Sequence, residues 1–127
     1  MEKFKNVERL EKRKVIRKYY HITPFENYKK ILKEGLKANS LGEIFVFNTN
    51  HRDVIEYASI NQLAITHCAL FEIDTKGIIG EIEDDNVGEW TSQFQKIIHQ
   101  DLIKPEFLRI FITYFVENYI NNTNILI

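Results

Sequence analysis

Apolar and polar positions alternate most legibly just after the first basic stretch of the chain. Residues 18–23 (KYYHIT) are rich in Tyr and Ile, are stopped by Pro24, and read as a β-strand. Thr23 then stands where a helix cap is wanted, with Pro24 at the first helical position and Glu26 at the capping-box spacing. Phe25, Tyr28, Ile31 and Leu32 recur at helical intervals, and Gly35 supplies a left-handed stop. Upstream, Phe4, Val7 and Leu10 give a thin apolar stripe to a basic N-terminal helix.

Further on, the pattern turns towards strands. A turn at 39–42 (NSLG) leads into 43–48, where Ile44, Phe45, Val46 and Phe47 predict a short buried strand. Residues 53–62 read as a helix, with Val54, Tyr57, Ala58 and Ile60 near one side. Residues 65–73 form the longest strand candidate, broken only by His67 and Glu72. The turn Asp74-Thr75-Lys76-Gly77 precedes a second short strand at 78–82, and the acidic run 81–89 reads as a surface loop. Residues 93–100 predict another strand around Phe94, Ile97 and Ile98. The end is two-valued: Phe107, Ile110, Phe111, Tyr114 and Phe115 keep helical spacing after Pro105, yet 110–116 is β-branched and aromatic enough for a strand. Helices come early in this order and strands late, which describes one compact α+β domain.

A chain of 127 residues is the size of a single domain, and 44% hydrophobic with 28% charged residues suits a packed globule and not a disordered chain. The net charge of −1 conceals an asymmetry. Residues 1–18 hold eight Lys/Arg against three Glu, leaving nine Lys/Arg against fifteen Asp/Glu in the rest. A basic arm on an acidic body fits either a solvated helix with local ion pairs or a surface that meets nucleic acid. Cys68 is the only cysteine and lies in an apolar run, so it makes no intrachain disulfide and is a poor nucleophile. That cysteine usage, with no signal peptide and no apolar run of membrane length, points to the cytoplasm and to no membrane partner. His21, His51, His67 and His99 lack the short ligand spacings of a zinc site, so no metal is expected.

The candidate chemistry sits in the block Tyr20-His21-Ile22-Thr23 with Asn27, Ile31, Leu32 and Gly35-Leu36 behind it. A histidine and a threonine two residues apart at a strand end can face one ligand. The run YYHITPFENYKKILKEGL resembles the first motif of the ADP-ribosyltransferase superfamily, in the branch of poly(ADP-ribose) polymerases and DarT-type DNA-modifying toxins. The run GEIFVFNTNHRDVIEYA looks like the family's glycine, short aromatic strand and following helix. QFQKIIHQDLIKPEFLRIF is similar in position to its late strand. Together these span roughly residues 19–111 in the family's order.

Beyond the basic N-terminal helix over 1–18, the resemblance implies, over 19–127, an ADP-ribosyltransferase-like split β-sheet with an NAD-binding cleft between its halves. His21 would bond a ribose hydroxyl and Thr23 the nicotinamide amide, with backbone help at Ile22. Phe47 would lie on the cleft strand, and Tyr57 would stack on the nicotinamide ring. The implied reaction moves ADP-ribose from NAD to a protein or nucleic-acid acceptor. Among biological roles it brings in toxins and phage defence or counter-defence. The sequence departs from the pattern at the catalytic acid: Gln95 stands at the motif glutamate, with Gln93 the other candidate, and a neutral amide supplies no charge to an oxocarbenium-like sugar. Ile22 also stands where many relatives have glycine, and Val54 where a serine is common. Glu81, Glu83, Glu89 and Glu106 are candidate substitutes, and no spacing selects one. Turnover by a mono-ADP-ribosyltransferase and mere sequestration of NAD, ADP-ribose or a related signalling nucleotide therefore both stand. His51 and Arg52 precede the Tyr57 helix, where phosphate contact is a further expectation. An RNA 2′-phosphotransferase, whose related fold also begins with a histidine strand, ranks lower, because that family uses several arginines and only Arg52 and Arg109 follow residue 17.

Overall fold

The computed structural model describes residues 18–59, 67–85 and 92–115. Six strands form the large sheet: β1 (Tyr19–Pro24), β3 (Glu43–Phe47), β4 (His67–Ile73), β5 (Glu81–Asp84), β6 (Gln95–His99) and β8 (Leu108–Phe115). They lie in the order β5-β6-β3-β1-β4-β8, every neighbouring pair antiparallel. Two-residue strands β2 (Leu36–Lys37) and β7 (Leu102–Ile103) pair separately. The described helices are short: α1 (Tyr28–Glu34), entered through a 3-10 turn at Phe25–Asn27, and α2 (Arg52–Tyr57). The class is α+β with a mostly antiparallel sheet, as the pattern predicted.

Alternation along the strands sorts the side chains into two cores. One face carries Ile44, Val46, Ala69, Phe71, Ile73, Ile98 and Leu108, joined by Leu36 and Ile103, with Tyr28 and Ile31 of α1 packed on it. The other carries Tyr20, Ile22, Phe47, Cys68 and Leu70, covered by Val54, Ile55 and Ala58 from the α2 segment. β4, at the centre of both, is buried throughout except for His67 at its start. Its six consecutive buried residues explain why this run shows no polar alternation in the sequence.

Several expectations are corrected. Thr23 caps nothing: it belongs to β1, and the turn after it begins at Pro24 with no side-chain cap bond. Strand pairing with β4 runs through to Pro24 and holds Thr23 in the ladder. Gly35 does end α1, at φ 90° and ψ 175°, so the chain leaves extended into β2 and not through a left-handed turn. The strand expected at 78–82 begins at Glu81 instead, and the acidic run is in its first half this strand and not a loop. Ile79 and Gly80 are held out of the ladder because the side-chain oxygen of Gln100 accepts from both their amides, at 2.9 and 3.1 Å. β6 starts at Gln95, after a 3-10 turn at Ser92–Phe94. The two-valued C-terminal run is strand, and Pro105 opens only a 3-10 turn at Pro105–Phe107. Strand β3 is not buried throughout, since Phe45 is 46% exposed. The basic N-terminal helix lies outside the described residues apart from Lys18, as do residues 60–62 of the predicted second helix. The acidic residue Glu89 lies outside them as well.

Candidate functional site

The site candidate is a parting in the middle of the large sheet. β1 pairs with β4 over six residues, from Tyr19↔Ile73 to Pro24↔Cys68, and β3 pairs with β6 over five. Between β1 and β3 the register holds one pair, Tyr20↔Phe47. Beyond that pair no further register pair joins β1 and β3, and His21, Ile22 and Thr23 form one lip with Glu43, Ile44 and Phe45 on the other. β1 and β3 are the inner strands of two half-sheets, β1-β4-β8 and β5-β6-β3.

His21 spans the start of the parting, its Nδ1 2.7 Å from the Phe45 carbonyl oxygen. A carbonyl only accepts, so Nδ1 carries the proton and donates. Burial of the ring, the larger influence, pulls its pKa below the usual histidine value, and the bond to Phe45 pulls weakly the other way. A neutral ring with Nδ1–H donating presents Nε2 as an acceptor. Thr23 is buried, and its Oγ1 accepts from Asn27 Nδ2 at 3.4 Å, which leaves its own proton to donate. The Ile22 side chain is buried in the α2-side core, so only its backbone borders the parting. Phe47 closes the apex, buried in the same core. Phe45, which the sequence marked only as core, is instead an exposed aromatic on the lip.

Gln95 lies opposite Phe47 and is buried. Cross-strand partners share a face, so Gln95 leaves the sheet on the α2 side. His21 and Thr23 lie opposite Phe71 and Ala69, and leave on the α1 side. Tyr57, partly buried, is the last residue of α2. The residues picked from sequence thus fall on two faces of one sheet, His21 and Thr23 on the α1 side and Ile22, Phe47 and Gln95 on the α2 side.

The loop before α2 uses its polar atoms locally. His51 caps the helix, its Nδ1 accepting from the Asp53 amide at 3.2 Å, and Arg52 pairs with Glu56 at 2.6 Å. Asn50 Nδ2 donates to the Tyr20 hydroxyl at 3.3 Å. Asn50, Arg52 and Glu56 border a cavity of about 260 Å³ whose apolar wall is Ile55, Leu70, Phe111 and Ile112. A second cavity, of about 350 Å³, borders an ion cluster around the buried Glu72 at the other end of β4. There Glu72 accepts from Arg109 at 3.0 and 3.2 Å and meets Lys18 at 2.8 Å. Burial pushes the Glu72 carboxyl up, but the hydrogen bonds and charges of Arg109 and Lys18 together hold it below the usual range. Neither cavity is lined by His21, Thr23, Tyr57 or Gln95.

Among the described residues Glu43, Glu83 and His99 bring potential ligand atoms within 4.8 Å of one another. They come from three adjacent strands, which is why no sequence spacing revealed them. The 2.7 Å hydrogen bond between His99 and Glu83 accounts for the grouping as an exposed side-chain pair. Among the described residues no helix is long and apolar enough to cross a membrane. No family model, no curated protein and no solved structure matches the chain.

Proposed function

We propose that this protein is an ADP-ribosyltransferase-like NAD-binding protein, which takes NAD at the parting between β1 and β3 and transfers ADP-ribose to a macromolecular acceptor. The observation that carries the reading is the single Tyr20↔Phe47 pair: the two central strands part at the residues of the first motif. Such a parting exposes backbone donors and acceptors on both lips, and buried backbone groups require partners. The flat, amide-bearing nicotinamide and its ribose supply them. His21 Nε2 accepts from a ribose hydroxyl, Thr23 donates to the carboxamide oxygen, and an aromatic face, Phe45 on the lip or Tyr57 beyond it, suits the pyridinium ring. The basic residues of the N-terminal arm favour a nucleic-acid acceptor over a protein, through phosphate neutralisation that weakens steeply with salt.

Incubation with labelled NAD and cell extract should give a labelled macromolecule with release of nicotinamide; neither product nor release would exclude the enzyme. His21→Ala should weaken NAD binding by up to about tenfold, the value of one hydrogen bond of roughly 0.5–1.5 kcal/mol.

One observation favours a second reading, a module that binds NAD or a related nucleotide without turnover: the neutral Gln95 where the resemblance wants an acid. Calorimetric binding of NAD or ADP-ribose with no nicotinamide release would select it.

A further inference from the structure

We propose that the cavity between α2 and β8 is a binding site for an amino-bearing heteroaromatic ring, and that the ring is adenine, read at its edge by Asn50. The NAD reading is not needed for this, because no residue of either lip borders the cavity. A strand irregularity builds the apolar wall. β4 and β8 pair Leu70 with Ile112 and Phe71 with Ile110, which leaves Phe111 as an extra residue on β8. A bulge re-aims side chains, and here Phe111 and Ile112 line one cavity although strand neighbours ordinarily face apart. Leu70 and Ile55 are fully buried, whereas Phe111 and Ile112 stay 43% and 46% exposed. Tyr20 meets the Phe111 ring edge-on and fixes it, with centroids 5.6 Å apart. The cavity thus has an apolar floor and an open apolar mouth, and a flat ring seated there removes that surface from water.

The polar rim selects the ring. Asn50 Nδ2 donates one N–H to the Tyr20 hydroxyl, which fixes the way the amide faces. Its second N–H and its carbonyl oxygen have no partner among the described residues. Glu56 gives one carboxylate oxygen to Arg52 at 2.6 Å and keeps the other to accept. The rim therefore offers two acceptors and one donor. An amino group beside an unprotonated ring nitrogen is the complement, and an asparagine amide pairs in this way with adenine N6 and N7. A ring carrying a carbonyl in place of the amino group would turn an acceptor towards two acceptors.

Size sets the limit of what enters. At about 260 Å³ the cavity lies under the roughly 300–1,000 Å³ of sites for drug-sized ligands, so one ring system fits and the sugar stays outside. The adenine has two possible sources, a free adenosine nucleotide or the adenine end of NAD, and the same groups recognise both. The larger cavity offers no such edge, because its buried carboxylate, Glu72, is already held by Arg109 and Lys18.

The test follows the methyl NMR signals of Ile55, Leu70 and Ile112 in the whole chain during titration with adenosine, inosine and NAD. The expected result is a saturable shift of these signals with adenosine. Inosine should bind about tenfold more weakly or worse, for a lost hydrogen bond and an acceptor left facing acceptors. Asn50→Ala should remove that preference, and Ile112→Lys, which puts a charged side chain in the mouth, should abolish binding. Both positions are exposed, and unchanged methyl signals from Ile44, Ile73 and Ile98 in the other core show that each variant is folded. No shift with adenosine, equal affinity for inosine, or an unaltered preference in N50A would each overturn the assignment. NAD shifting the same signals in competition with adenosine makes NAD the source of the ring; no NAD shift at these methyls leaves the free nucleotide. His21→Ala should leave the adenosine titration unchanged, and a loss there would move adenosine to the parting and overturn the site.

Discussion

Two side chains of the sheet lose their contribution to stability on acidification, each over its own range. His21 has a folded pKa below its unfolded value of 6.5, so its contribution to stability is complete above that pH and is lost as acidification charges the ring. Thermal unfolding between pH 7.5 and 5 should therefore show a downward step below pH 6.5 that His21→Gln lacks; parallel curves would contradict it. Glu72 is also lowered, so its contribution is present above the ordinary carboxyl value of 4.5 and is lost only on stronger acidification. Its substitution tests the ion cluster directly. Glu72→Gln should cost about 1–3 kcal/mol in urea unfolding, because it strips charge from hydrogen bonds made by a buried acceptor. The figure is not a full buried-pair penalty, because Arg109 and Lys18 remain largely exposed and can return to water.

The elements that were legible in sequence are those whose pattern is local. β1 has its Tyr-rich run and its proline stop, β4 its unbroken apolar stretch, and α1 ends at the glycine that was named. Gly35 is required twice over: at φ +90°, and because a Cβ there would sit 2.5 Å from the Ile103 carbonyl oxygen. Gly35→Ala should cost about 2 kcal/mol or more, the sum of backbone strain and displacement of the β2–β7 pair, measurable by chemical unfolding. What the pattern missed has non-local causes. β5 is displaced from its apolar run by the Gln100 side chain, which also donates to the Gly77 and Leu102 carbonyls, at 2.9 and 2.8 Å. β8 looked half-helical because its pairing with β4 shifts between Leu70 and Phe71, and an extra residue there destroys the period of two. β2 and β7 have two residues each, too few to display any period. Of the candidate site, His21 and Thr23 were readable as a strand end. Phe45 on the lip depends on register between strands far apart in the chain, which no local pattern encodes.

At the scale of the whole molecule, the two half-sheets share a core on the α1 side but only one strand pair at their junction. Hydrogen exchange should find the amides of the lips less protected than those of β4, whose neighbours pair along its length. A saturating ligand at the lips should raise protection there, and NAD at 100 times its dissociation constant should add about 2.7 kcal/mol to stability. No change in melting temperature with NAD would contradict the site. The location of the parting has one more consequence. A sheet usually exposes its unpaired edges at the rim, where another chain can add to them. Here such edges lie inside the sheet, between strands that are each paired on their outer side, and a neighbouring strand cannot reach them from outside. On the proposed reading, NAD seated there would act as a keystone: it would be held by both leaves, and its removal would loosen the middle of the protein while its margins stay closed.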